Sequence, residues 1–146
     1  MTDLVGQSVA RLEDRDLLCG KGRFVADIKM PGMLHACFVR SPHAHARIHS
    51  IEASAARAMP GVHAVLTAHD LPRHMAERQI PMLVPSPLIS IPRTQTLLAR
   101  HEVCYAGQAI AIVVAESRYA AEDAAAAVKI HFEPLGSVSD CRSAAA

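Results

Sequence analysis

The sequence predicts an α+β domain, and three observations carry the prediction. Short runs with apolar–polar alternation recur, as in "VHAVLTA" at Val62 to Ala68 and "VKIHFE" at Val128 to Glu133. An unbroken apolar run, "AIAIVVA" at Ala109 to Ala115, is followed at once by an alanine-rich stretch of helical period. The chain is also short and apolar, with 146 residues of which 51% are hydrophobic and 20% charged. That suits a single domain over 1–146, since a chain of this size can bury on the order of 70% of its unfolded surface.

The elements follow in order. A helical turn is expected near Leu12 to Leu18, ended by the glycines of "CGKGRF", and an extended lead-in then runs to Pro31-Gly32. "MLHACFVR" sets Leu34, Ala36 and Phe38 on one face and His35, Cys37 and Val39 on the other, a strand apolar enough on both sides to be interior. Ser41-Pro42 bends the chain. "AHARIHSI" follows as a strand with Ala44, Ala46 and Ile48 inward and its polar residues outward. A short helix is expected from Glu52 to Met59, stopped by Pro60-Gly61, then the strand at Val62 and a helical turn at His69 to Pro72. From 72 to 100 the prolines at 72, 81, 85, 87 and 92 rule out a long helix or central strand, so this stretch reads as an excursion. "AIAIVVA" reads as a central strand with a small-residue face that a helix can approach closely. Ser117 is a helix N-cap, Ala120, Ala121, Ala124, Ala125 and Val128 form the buried stripe, and Arg118 and Glu122 pair at i,i+4 outside. The strand at Val128 closes the domain.

Composition excludes several function classes. Fifteen basic against fourteen acidic residues leave a formal charge of +1, with no run of like charge to track a phosphate backbone, so nucleic acid is not the expected partner. No leader-like start and no bilayer-length apolar run occur, and the protein is expected to be cytoplasmic, with no membrane contact. Cys19, Cys37, Cys104 and Cys141 stand singly, which builds no local zinc or iron–sulfur cluster and suits reduced thiols.

The sharpest candidate for chemistry is "RSPHAHARIHS", where His43, His45 and His49 share one parity with Arg47. Zinc needs three or four ligands converging on one point, whereas residues two apart on a strand are separated by about 7 Å and cannot all meet one ion. An outward, wet strand face is therefore the stronger reading than a metal site. His35 and His131 read as surface or edge side chains. Ser117 is explained as a cap, no Gly-x-Ser-x-Gly elbow is present, and Gly20 and Gly22 lack the context of a phosphate loop. The adjacent carboxylates Glu13-Asp14 and Glu122-Asp123 diverge on helical turns. No catalytic, cofactor-binding or metal set is assembled.

Several motifs in fixed order add a further reading. "RLED", "GKGRFVADI", "PGMLHA", "RSPHAHARI", "MPGV", "YAGQAIA" and "EPL", spread from about Val5 to about Asp140, resemble the N-terminal domain of the large, molybdenum-binding subunit of the xanthine dehydrogenase, aldehyde oxidase and carbon monoxide dehydrogenase family. The resemblance implies an α/β hammerhead, a mixed sheet with helices packed mainly on one side. It implies a full enzyme with molybdopterin or its cytosine dinucleotide, [2Fe–2S] clusters and FAD, none of them bound by this chain. The implied partners are the molybdenum-binding domain or subunit and the iron–sulfur and FAD subunits, and the residues that choose substrate are implied to lie beyond this chain. Onto the matched motifs it carries only interface candidates: Arg40, Ser41, His43, His45, Arg47, Gly107 and Gln108. Ala109 and Gly136 stand where such sequences commonly have proline, and the ending "CRSAAA" is expected to mark a truncated piece or a separately encoded subunit. An isolated domain of this kind is expected to be sticky and able to homodimerise. The rival reading is a free-standing hammerhead binding or scaffold module that uses the histidine strand or the proline-rich loop.

Overall fold

The computed structural model describes residues 5–81 and 94–144, so the middle of the proline-rich excursion, 82–93, lies outside the described residues. The chain divides into two compact units, 1–33 and 34–146.

In the first unit, α1 (Asp14–Leu18) starts where the Asp14 carboxylate accepts hydrogen bonds from the Arg11 backbone N–H at 3.0 Å and from Arg11 Nε at 3.2 Å. It stops at Gly20, whose φ of +68° lets the Lys21 N–H reach back to the Asp16 carbonyl at 2.7 Å. A 3₁₀ turn follows at Val25–Asp27, with the Asp27 carboxylate accepting from the Phe24 N–H at 3.0 Å. None of its described residues is buried, and Leu12, Leu18, Phe24 and Val25 are all exposed. Local hydrogen bonds give this unit its shape, and a five-residue helix has little stability of its own in water.

The second unit holds two antiparallel sheets. The first comprises β1 (His35–Arg40), β3 (Val62–Thr67) and β5 (Ala109–Ala115) in the order β1-β5-β3; the second comprises β2 (Ala46–Glu52), β4 (Glu102–Val103) and β6 (Lys129–Pro134) in the order β4-β2-β6. The helices are α2 (Ser54–Arg57), α3 (Arg73–Ala76), α4 (Arg118–Ala127) and α5 (Cys141–Ala144). The α+β class is the expected one, but the expected mixed sheet is two antiparallel ones. The reason lies in β5–α4–β6: the strands flanking α4 join different sheets, so the parallel pair that a strand–helix–strand crossover would produce never forms.

α4 begins where the Ser117 hydroxyl accepts from the Ala120 N–H at 3.1 Å, and its Arg118–Glu122 pair lies outside at 2.8 Å. It lies against β1 and β5, and α2 packs on it and on β3. Ala53, Ala56, Val65, Val113, Ala124 and Val128 form one core cluster, small side chains that let α2 and α4 approach the sheet closely. α2 is shorter than expected because β2 pairs with β6 as far as Glu52–Lys129.

Two expectations are corrected. β1 is an edge strand rather than an interior one: His35, Cys37 and Val39 turn inward while Ala36, Phe38 and Arg40 are exposed. Ile110 and Ile112 share a parity in sequence, yet β1 steps from Val39–Ala111 to Arg40–Ala109, which leaves Ile110 as the extra residue of a β-bulge. Fully buried Ile110 joins Ala46, Ala99 and Val103 in a second core cluster, with Ile48, Ile51, Ile130 and Phe132 packed against it from β2 and β6. Ile112 stays half-buried on the opposite face of the first sheet.

Candidate functional site

The face of the first sheet away from α4 is open. There β1 presents Phe38, 44% exposed, and β5 presents Ile112; Leu71, Ile80, Leu97 and Leu98 from the flanking loops complete an apolar groove of about 370 Å³. Arg40, Gln95, Thr96, Tyr105 and Gln108 supply its polar groups. The alternation of "HACFVR", apolar on both faces, was the sequence signal for this groove, but it reads equally as an interior strand. Only the pairing order tells the two apart.

The polar end of the groove is built by "RSPH" against "YAGQ". Arg40 Nη1 donates to the Gly107 carbonyl at 2.9 Å, and its guanidinium carbon lies 5.3 Å from the Phe38 ring centroid, within cation–π range. The Ser41 N–H donates to the Gln108 carbonyl at 2.9 Å, and the Gly107 N–H donates to the Ser41 carbonyl at 2.8 Å. The tight return needs φ +90° at Gly107, a conformation that glycine adopts without strain. Ser41 and Gln108 are buried: the Ser41 hydroxyl accepts from the His43 N–H at 3.0 Å and donates to the His43 carbonyl at 2.9 Å, while Gln108 Oε1 accepts from the Cys104 N–H at 2.7 Å. Of the seven interface candidates, these two face inward and brace the rim. Arg40 remains exposed beside the groove.

The histidines are dispersed along β2 and the turn before it. His43 packs edge-on against Phe132, centroids 4.9 Å apart. His45 bridges the Gly136 carbonyl (Nδ1, 2.6 Å) and Glu102 (Nε2, 2.5 Å). His49 reaches Glu133 at 3.2 Å, a carboxylate that also accepts from Arg47 Nη1 at 2.8 Å. The Gly136 carbonyl, and with it the Glu102 carboxylate, raises the His45 pKa above its ordinary value. Near the end of β3, the Thr67 N–H and hydroxyl both donate to Asp70, at 2.7 and 2.8 Å, and hold its carboxyl below the usual range. Sequence reasoning had singled out neither Glu102 nor Asp70. Both lie in turns or two-residue strands, where pattern gives no signal.

Among the described residues, no three His, Cys, Asp or Glu side chains converge to hold a metal ion, and no buried side-chain nitrogen or oxygen lacks a partner. Cys19, Cys37, Cys104 and Cys141 are free thiols. The described residues therefore offer no ligand cluster for an iron–sulfur centre. No helix among them is long and apolar enough to cross a membrane.

Residues 19–136 match the family model described as "Aldehyde oxidase and xanthine dehydrogenase, a/b hammerhead domain". The chain belongs to this family. The chain is 44% identical over 140 residues to the nicotine 6-hydroxylase large subunit of Paenarthrobacter nicotinovorans, covering 96% of this chain and 17% of that protein. It is 46% identical over 125 residues to the carbon monoxide dehydrogenase large chain of Afipia carboxidovorans, covering 86% of this chain and 14% of that one. Among solved structures, the Cu,Mo-CO dehydrogenase matches with TM-score 0.79 at 44% identity, over 95% of this chain and 16% of that one. Quinoline 2-oxidoreductase from Pseudomonas putida 86 matches with TM-score 0.80 at 39% identity, over 98% and 18%. The hammerhead chain thus spans only about a sixth of the length of these relatives. The two antiparallel sheets and their helices are the form the hammerhead fold takes here.

Proposed function

We propose that this chain is the hammerhead part of a molybdenum hydroxylase large subunit, carrying no chemistry itself and docking on the rest of that subunit through the groove at Phe38 and Ile112. The observation that carries the reading is this open apolar sheet face in a chain that spans about a sixth of its relatives, since soluble domains rarely leave such a face without a partner. Arg40 fits the rim of such an interface, because an exposed guanidinium over an aromatic ring loses little water on docking. His43, His45 and Arg47 are the remaining exposed or half-exposed polar candidates for contact.

In the complete enzyme, molybdopterin in its cytosine dinucleotide form is bound by the remainder of the large subunit, and the [2Fe–2S] clusters and FAD by companion subunits or domains. We place the complex in the cytoplasm, in keeping with four unpaired cysteines.

The test is recovery of the tagged chain from its own organism, with identification of co-purifying polypeptides and measurement of molybdenum in the eluate. Molybdenum- and iron–sulfur-binding polypeptides are expected with the native chain. Phe38→Glu and Arg40→Ala each weaken their recovery, Phe38→Glu by tenfold or more, and Phe38→Glu also abolishes self-association of the isolated chain. Recovery of the native chain without molybdenum, or undiminished recovery with Phe38→Glu, refutes the proposal.

A further inference from the structure

We propose that His45 is a proton-dependent latch: as imidazolium it pins the chain leaving β6 to β2 and β4, and loss of one proton releases that segment. The geometry is specific. Both ring nitrogens face acceptors, the Gly136 carbonyl at 2.6 Å and a Glu102 carboxylate oxygen at 2.5 Å. A neutral imidazole has one N–H and one lone pair, so it can satisfy only one of two acceptors; the imidazolium satisfies both. The latch works beside a backbone tie, since the Leu135 N–H donates to the His45 carbonyl at 3.0 Å.

Three segments distant in sequence meet at this ring: the start of β2, the two-residue β4, and Leu135–Gly136 beyond the end of β6. β4 holds two ladder pairs with β2, Ala46–Val103 and Arg47–Glu102, and the side-chain bond from Glu102 adds to them and to the burial of Val103. The charged groups around His45 are Glu102 on β4 and, on β2 and β6, the Arg47–Glu133 pair with His49 on the same carboxylate. Glu133 is thus already engaged by Arg47 and His49, which leaves Glu102 as the carboxylate facing His45. Gly136 lies just beyond the end of β6, so the latch holds the chain where it leaves that strand.

The sign follows from the raised affinity of His45 for its proton. The latch is fully formed below the ordinary histidine value of 6.5 and is lost as pH rises through the higher folded value. The experiment is NMR on the full 146-residue chain, with ¹⁵N shifts of the His45 ring and hydrogen-exchange protection of the Leu135 amide followed across pH 5.5–9. Both ring nitrogens should be protonated at low pH, the midpoint should lie above 6.5, and Leu135 protection should fall several-fold across the same interval. Glu102→Gln keeps an acceptor without the charge and should move the midpoint down; His45→Gln should leave Leu135 weakly protected at every pH. A midpoint at or below 6.5, a midpoint unmoved by Glu102→Gln, or Leu135 protection that is independent of His45 titration overturns the proposal.

Discussion

Replacing Ile110 and Ile112 separately by alanine tests the bulge that links the two sheets. Side-chain alternation along β5 makes the two isoleucines equivalent, whereas the register places Ile110, fully buried, in the second core cluster and leaves Ile112 half-buried in the groove. Ile→Ala removes three carbons, about 2.4 kcal/mol of transfer free energy at ~0.8 kcal/mol per methylene for a fully buried side chain. The neighbours of Ile110 include Ala46 and Ala99, too small to fill the space, so a cavity contribution adds to this and brings the expected loss to about 3–4 kcal/mol. Ile112→Ala removes the same atoms from a position that solvent already reaches, and roughly 1–1.5 kcal/mol is expected. Urea denaturation followed by far-UV circular dichroism separates the two. With a slope of about 1.5 kcal/mol/M, Ile110→Ala lowers the midpoint by about 2–2.7 M and Ile112→Ala by about 0.7–1 M. An equal or larger loss for Ile112→Ala would refute the bulge and the second core built on it.

Two further outcomes follow from local hydrogen bonds. Ser117→Ala removes the acceptor for the Ala120 N–H and should destabilise the chain by about 1 kcal/mol, read from the same urea titration, while Ser117→Asp should restore most of it. Asp70, whose carboxyl is held low by the Thr67 N–H and hydroxyl, contributes stability that is present above pH 3.8 and is lost as pH falls through its depressed folded value. Asp70→Asn should therefore lower the urea midpoint at neutral pH and flatten its decline below pH 3.8.

Most elements of the second unit were legible because their signals are local. Ser117 caps its helix, Ala121 and Ala124 mark the buried stripe, and the apolar run at Ala109–Ala115 marks the central strand; each depends on neighbours within one or two turns or pleats. The histidine strand was legible in part: Ala46 and Ile48 turn inward and Arg47 and His49 outward, but Ala44, expected inward, is exposed and precedes the strand. Pairing was not. Strand period says which side chains share a face but not which strand lies beside it, so β1 read as interior although it is an edge, and one mixed sheet was expected where there are two.

From residue order alone came the types of the longer elements, the inward faces of α4 and β6, and the motif series that carries the family. Folding in three dimensions decided the rest: that Ile110 leaves its parity, that Phe38 and Ile112 line an open groove, and that His45 meets Gly136 and Glu102. The division has a physical cause. Helix caps and side-chain alternation are set by bonds between near neighbours, whereas a groove, a bulge and a two-acceptor histidine each require segments tens of residues apart to meet, and a linear pattern does not encode which ones do.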